Sequence, residues 1–119
     1  MSRKKLKRNK HVGKIGWCDS NVLGLSRGHY VYIRKVKKGK CDVNTFSSIE
    51  DRSGRIEISK VNYIKEGKLY PIPKKDISLP RFSGIDKRVI KDISIHDIKY
   101  KGSKTIKGRH KHYIDKYMK

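Results

Sequence analysis

Short cationic runs are the residues of this sequence that are best suited to chemistry, because lysine and arginine bind phosphate groups. The run Lys37-Lys38-Gly39-Lys40 carries three cations within four residues, and both ends of the chain are also basic. Simple solvation of such charges is the alternative, and it stays open. The cations that we predict to contact nucleic-acid phosphates are Lys4, Lys5, Lys7, Arg8, Arg27, Lys37, Lys38, Lys40, Arg81, Lys107, Arg109 and Lys111.

The net charge of the chain points to the same class of partner. The 119 residues include 32 Lys and Arg against 11 Asp and Glu, which gives a formal charge of +21 at neutral pH. A compact chain with this excess repels itself unless an anionic partner compensates it. Nucleic acid is the common partner of such basic domains. A lysine-rich composition that only aids solubility is the alternative interpretation.

Apolar segments of membrane length are absent from the sequence. A spanning helix needs roughly 18 consecutive apolar residues, and the first ten residues have no apolar stretch behind their charges, unlike a secretory signal. We therefore expect a cytoplasmic protein without a membrane partner. A protein partner or a homodimer stays open, and so does the choice between DNA and RNA.

Histidine and cysteine residues are the possible metal ligands in this sequence. His110 and His112 flank Lys111, but neither a cysteine nor a carboxylate stands beside them, so no metal site is predicted. Cys18 and Cys41 are predicted to be reduced thiols. His29 fits either a half-buried structural residue or a proton carrier. No cofactor is expected.

Alternating β-branched and aromatic residues predict a β-rich domain. Strands are predicted at 29–36 and 41–46, joined by a turn in which Gly39 takes a positive φ. Residues 55–64 are predicted to form a bulged strand, and 69–72 an edge strand that ends at two prolines. The periodicity of 85–95 fits a helix and a strand equally. Five to six short strands with few helices indicate a small, strongly bent sheet or barrel.

Two segments then resemble the MazF/PemK family. Asn44-Thr45-Phe46-Ser47-Ser48 is similar to the Thr/Ser-rich strand end of that family, and Leu79-Pro80-Arg81-Phe82-Ser83-Gly84-Ile85-Asp86 is similar to a later segment that leads into a strand. His96-Asp97-Ile98 would open the family's short terminal helix. The likeness covers about residues 27 to 100 and implies a small SH3-like barrel, usually dimeric.

The resemblance also implies a site, because toxin members of the family cut single-stranded RNA without a metal. Arg27 would match the family's catalytic arginine, and Thr45, Ser47 or Ser48 would match its hydroxyl residue. A fixed guanidinium stabilises the charge that builds on the phosphate during 2′-hydroxyl attack, and a hydroxyl can relay a proton. The proline that follows the family's arginine is replaced here by Gly28, and the family's Arg-Gly-Asp opening is absent.

These observations lead to one favoured function and one alternative. We expect a non-catalytic nucleic-acid-binding protein that favours single strands and acts as an accessory factor in replication, mobile-element or RNA metabolism. The alternative is a metal-independent endoribonuclease of the toxin–antitoxin type. The expected organisation is a basic flexible arm at 1–10, the barrel domain at 11–100, and a basic tail at 101–119 with too few apolar residues for a core.

Overall fold

A five-stranded antiparallel sheet dominates the computed structural model, which describes residues 10–100 and 105–119. The strands lie in the order β1-β2-β3-β5-β4, so β1 and β4 are the two edges. Their bounds are β1 Ile15–Cys18, β2 His29–Lys37, β3 Lys40–Ser48, β4 Leu69–Ile72 and β5 Ser83–Ser94. The prediction of a mainly β protein is confirmed. The sheet is open and is not closed into a barrel.

The predicted hairpin of β2 and β3 is confirmed, and its turn has the expected geometry. Lys37 pairs with Lys40, and the two residues between them, Lys38 and Gly39, have φ values of 52° and 77°. Two successive positive φ angles match the twist of the flanking strands, which is why glycine is favoured in such turns. The predicted edge strand is also confirmed, because β4 pairs only with β5 and contains Pro71.

Short helices connect the strands, and one of them replaces a predicted strand. The helices are α1 Ser20–Leu23, α2 Ile58–Lys65, α3 Lys74–Ile77 and α4 Gly108–Tyr117, with a 3-10 turn at Ile95–Asp97. The prediction of a bulged strand at 55–64 is wrong. Ile58, Val61 and Ile64 are spaced so that they share one side of a helix, but none of them is buried, so the apolar pattern of this segment is weak. The ambiguous segment 85–95 belongs to β5 up to Ser94.

The sheet has a hydrophobic cluster on each face. Strand β3 contributes alternately, with Cys41 and Val43 in one cluster and Phe46 in the other. The first cluster also holds Leu23, Val31, Ile33, Ile93 and Ile98. The second cluster is larger and includes Ile15, Tyr32, Ile72, Ile77, Leu79, Ile85, Ile106, Ile114 and Met118. Both faces of the central strands are therefore covered.

The C-terminal segment belongs to the folded body, unlike the tail that we expected. Ile106, Ile114 and Met118 are at most 3% exposed in the second cluster. Polar contacts hold the same segment, because Arg34 Nη1 donates to the carbonyl of Met118 at 2.7 Å and Asn44 Nδ2 donates to it at 2.8 Å. The expectation failed because three apolar residues suffice when a neighbouring sheet already provides most of the core.

Candidate nucleic-acid interface

A groove lies at the end of the sheet where β2 begins and β3 ends. Its cavity volume is about 1110 Å³. The register places Ser48 opposite Ser83, so the loops that precede β2 and β5 and the end of β3 meet here. The groove is lined by Trp17, Leu25, Ser26, Arg27, Gly28, His29, Tyr30, Phe46, Ser47, Ser48, Arg52, Glu57, Lys60, Leu79, Pro80, Arg81, Ser83 and Arg88.

The charges around this groove are strongly unbalanced. Among the lining residues that the structure describes, five are lysine or arginine and one, Glu57, is acidic. The cations come from separate parts of the chain and are Arg27, Arg52, Lys60, Arg81 and Arg88. Like charges that converge on a concave surface focus a positive potential there. The groove can therefore attract a polyanion without any contribution from the N-terminal segment.

Arg27 and Arg81 were predicted from the sequence to contact phosphates, whereas the other three groove cations were not. Arg52 lies in the loop after β3, Lys60 lies on α2, and Arg88 lies on β5. No local motif distinguishes them from the many other cations in the chain. Only their convergence in space identifies them, and this depends on the pairing of β3 with β5 and on a helix that was predicted to be a strand.

A bulge in β5 builds a polar cluster beneath one side of the groove. Asn44 pairs with Val89 and Phe46 pairs with Ile85, so three residues of β5, 86–88, oppose Thr45 alone. The carboxylate of Asp86 accepts hydrogen bonds from Thr45 Oγ1 at 2.7 Å and from Ser47 Oγ at 2.8 and 2.9 Å.

Arg88 completes the cluster from the exposed side. Its Nη2 donates to Thr45 Oγ1 at 3.1 Å and lies 3.8 Å from the Asp86 carboxylate. Its side chain is 47% exposed, whereas Thr45 is fully buried. Thr45 therefore anchors Arg88 and does not line the groove. Of the predicted hydroxyl residues, Ser47 and Ser48 line it together with Arg27.

The first residues of β2 form another wall of the groove. A Cβ on Gly28 would lie 2.5 Å from an atom of the Trp17 indole, so only glycine allows this close approach. His29 Nδ1 lies 2.9 Å from the carbonyl oxygen of Phe46. Because a carbonyl only accepts, Nδ1 carries the proton. Gly28 thus lets the chain pass close to Trp17 between Arg27 and His29, which both line the groove.

The loop that carries Arg81 is also held in place. Glu50 accepts a hydrogen bond from the backbone N–H of Phe82 at 2.8 Å and pairs with Lys74 Nζ at 2.7 Å. The hydrogen bond from Lys74 and the one from Phe82 lower the pKa of the Glu50 carboxyl. The backbone N–H of Ile49 donates to the carbonyl of Phe82 at 2.7 Å. Arg81 therefore extends from a fixed loop.

The hairpin tip forms a separate cationic site. Lys37, Lys38 and Lys40 line a cleft of about 380 Å³ with Lys35, Asp42 and Asp92. They lie at the other end of β2 and β3 from the groove. Strand β2 has nine residues, and a rise of about 3.3 Å per residue gives a span of about 26 Å. The structure does not bring these predicted contacts together with Arg27 and Arg81.

The remaining predicted cations fall into three groups. Lys107 and Arg109 are exposed and line a third cleft beside α4. Lys111 instead pairs with Asp115 at 2.6 Å and donates to the hydroxyl of Tyr32 at 3.3 Å, so its charge is compensated within the fold. Lys4, Lys5, Lys7 and Arg8 lie outside the described residues.

No group of metal-ligating side chains was found in residues 10–100 and 105–119. His110 contacts Tyr70 and Asp76, with its two ring nitrogens 2.8 and 3.2 Å from their oxygens. Cys18 and Cys41 are free and buried. Burial raises the pKa of the Cys18 thiol to about 11 and that of the Cys41 thiol to about 12.

The helices of the described part of the chain are too short or too polar to cross a lipid bilayer. Comparison with known proteins adds no further assignment. No family model, no curated protein and no solved structure matches this chain.

Proposed function

We propose that this protein is a non-catalytic nucleic-acid-binding protein that favours single strands and acts as an accessory factor in replication, mobile-element or RNA metabolism. The observation that carries the proposal is the groove with five cations and one carboxylate among its described lining residues. Contacts of lysine and arginine with phosphates supply most of the affinity in sequence-independent binding. A nucleic acid in the groove would neutralise part of the +21 charge.

The preference for single strands is supported by aromatic side chains in the same groove. Trp17 and Tyr30 line it and are accessible, whereas Phe46, which also lines it, is buried in the second hydrophobic cluster. The rings of Trp17 and Tyr30 meet edge to face, with centroids 5.0 Å apart, and both side chains are only partly buried. Unpaired bases stack on such rings, whereas the bases of a duplex are already stacked on each other.

Charge removal within the groove tests the proposal. We expect the double variant Arg81→Ala and Arg88→Ala to bind labelled single-stranded oligonucleotides more weakly than the wild type, because two phosphates are no longer neutralised. The slope of log affinity against log salt concentration should become shallower by about 0.7 for each of these phosphates. Lys65→Ala with Lys91→Ala is the matched control, because both lysines are exposed and do not line the groove. Equal weakening in both double variants would contradict a role for this groove.

The MazF/PemK-like endoribonuclease remains the second candidate, and one observation favours it. Arg27 and Ser47, which that resemblance assigns to catalysis, line the same groove as His29. In such a reaction the 2′-hydroxyl attacks phosphorus, the 5′-oxygen leaves, and a 2′,3′-cyclic phosphate forms. The SH3-like fold that the resemblance implies is likewise a proposal, supported by the antiparallel β2–β3 hairpin and its pairing with β5.

An assay of RNA cleavage in EDTA separates the two candidates. We expect no cleavage of single-stranded RNA, because the family's Arg-Pro and Arg-Gly-Asp patterns are missing. Cleavage that leaves a cyclic phosphate and disappears in Arg27→Ala, but persists in the control Lys65→Ala, would establish the endoribonuclease and overturn the non-catalytic proposal. Thr45→Ala is less informative, because the buried Thr45 hydroxyl supports Asp86 and Arg88.

A further inference from the structure

Three tyrosine rings form a contiguous row on the face of the protein that carries α4, with one stacked pair and one tilted pair. The rings of Tyr70 and Tyr113 are stacked, with centroids 4.3 Å apart and an interplanar angle of 17°. Tyr117, one helical turn later, follows Tyr113 at 4.8 Å with an angle of 47°. We name this row of three rings the tyrosine ladder. None of its members lines the groove.

The inner end of the tyrosine ladder is fixed by hydrogen bonds. The hydroxyl of Tyr70, on β4, lies 2.8 Å from His110 Nδ1. His110 Nε2 lies 3.2 Å from the carboxylate of Asp76, near the end of α3. The ring of Tyr70 also packs against the second hydrophobic cluster. The inner ring of the ladder is therefore preorganised, so that Tyr113 stacks against a fixed surface.

The outer rings of the ladder stay partly exposed, although other residues of the C-terminal segment dock α4 on the sheet. Ile114 and Met118 already bury that helix, and Arg34 and Asn44 bind its C-terminal carbonyl groups. Tyr113 remains 39% exposed and Tyr117 49% exposed. Large aromatic surfaces left in water beside a completed core are typical of contact sites for a partner.

Cations surround this exposed aromatic surface. Lys116 Nζ lies over the Tyr117 ring, 5.2 Å from its centroid, so a base that stacks on this face displaces the ammonium toward the phosphate. Arg109 is exposed and precedes Tyr113 by one helical turn, so the two side chains share a face of α4. The only carboxylate of α4, Asp115, pairs with Lys111. Aromatic faces flanked by exposed cations match the two chemical parts of a nucleotide, its base and its phosphate.

We propose that the tyrosine ladder is a stacking platform for the unpaired bases of a single-stranded nucleic acid, with Tyr117 as its outermost ring and Arg109 and Lys116 as phosphate contacts. This inference rests on the proposed function and adds a second contact site to the groove. Stacking on aromatic side chains tolerates any base, because every base has a π face. The ladder thus increases affinity for single strands without reading sequence.

Variants at Tyr117, measured in the full chain, test the platform. Four probes of twelve nucleotides are compared: single-stranded dT, single-stranded rU, an abasic single strand, and a DNA duplex. We expect Tyr117→Leu to weaken binding of dT and rU by about fivefold or more, and to leave the abasic strand and the duplex unchanged. Tyr117→Phe should retain wild-type affinity, because it keeps the ring. Tyr63→Leu is the matched control, since Tyr63 is similarly exposed and lies on α2.

The outcomes separate this inference from the proposed function. Wild-type protein that binds none of the four probes at low salt overturns the proposed function and the platform together. A Tyr117→Leu variant with unchanged melting temperature that binds dT and rU as well as the wild type, or that binds all four probes equally weakly, overturns the platform alone.

Discussion

The hydroxyl group of Tyr32 joins strand β2 to helix α4. It donates a hydrogen bond to Asp115 Oδ1 at 2.8 Å and accepts one from Lys111 Nζ at 3.3 Å, although the ring itself is fully buried. Burial and then the bond to Asp115 raise the pKa of the Tyr32 phenol far above its ordinary value. The sequence suggests a phosphate contact for Lys111, whereas its role in this network is structural.

This pKa shift predicts a loss of stability in alkali. The phenol of Tyr32 ionises near pH 10 in the unfolded chain but keeps its proton in the folded protein. Its stabilising contribution is therefore fully present below about pH 10 and decreases as the pH rises further. We expect the melting temperature of the wild type to fall more steeply between pH 9 and 11 than that of Tyr32→Phe.

The neutral-pH stability of Tyr32→Phe provides a check on the same network. Removal of the hydrogen bond to a carboxylate should lower the free energy of unfolding by about 1.5 to 3 kcal/mol at pH 7. The exposed Tyr63→Phe is the control for removal of one phenol hydroxyl, and it should leave the profile unchanged. Parallel pH profiles for the wild type and Tyr32→Phe would contradict the assignment of the alkaline destabilisation to Tyr32. The buried thiols of Cys18 and Cys41 also lose stability in alkali, but they contribute equally to both proteins.

Helix α4 is the element whose role differed most from expectation. Its sequence contains four Lys and Arg and two His among the residues of Gly108–Tyr117 and its flanks at 107 and 118, which indicated a solvated tail. Ile114 nevertheless lies fully buried among residues from several strands. A helix of this length is only marginally stable as an isolated peptide, and in the protein its stability comes from the apolar face that it packs against the sheet.

The Ile114→Ala substitution tests this role of α4. Truncating a fully buried isoleucine removes its transfer free energy and leaves a cavity, so we expect the free energy of unfolding to fall by about 2 to 5 kcal/mol. Lys116→Ala, on the exposed side of the same helix, should change it by less than about 0.5 kcal/mol. Urea unfolding followed by circular dichroism measures both. An unchanged midpoint for Ile114→Ala would mean that α4 is not part of the cooperative fold.

For the molecule as a whole, the cationic groups lie at opposite ends of the sheet. The groove with Arg27 and Arg88 is separated from the hairpin tip with Lys38 by the length of β2, about 26 Å at the usual rise per residue. A short ligand can therefore reach one end only. A single strand that spans both would follow the surface for at most about eight nucleotides, the number needed at the stacked spacing of 3.4 Å found in a duplex strand.

This separation predicts a dependence on oligonucleotide length. We expect the triple variant Lys37→Ala, Lys38→Ala and Lys40→Ala to bind a single-stranded 4-mer much like the wild type, because a 4-mer bound in the groove does not reach the hairpin tip. For a 16-mer, the log–log salt slope should become shallower by up to about two, at 0.7 for each phosphate that is no longer neutralised. Fluorescence anisotropy across 50 to 200 mM salt measures both slopes. An equal effect on the 4-mer and the 16-mer would contradict separate sites.

Local patterns were sufficient for the hairpin and for the edge strand. Alternation from His29 onward and Gly39 between lysines predicted β2, the turn and β3, since these features depend on residues close in sequence. The strand prediction for the segment that begins at Ile58 was wrong. The segment is short and mostly exposed, so its few apolar residues fit the period of a helix and that of a strand. For the stretch that became β5, periodicity could not separate helix from strand, because bulges at 86–88 and near Asp92 interrupt the alternation.

The sequence by itself determined the excess of positive charge, the β-rich character and the presence of aromatic and hydroxyl residues near Arg27, because composition and period two depend only on the order of residues. The tertiary structure alone decided which cations converge. Asp86 and Arg88 meet Thr45 across about forty residues of chain, and α4 closes the core against strands about eighty residues earlier. Such contacts depend on strand register and packing between distant segments, which local sequence does not encode.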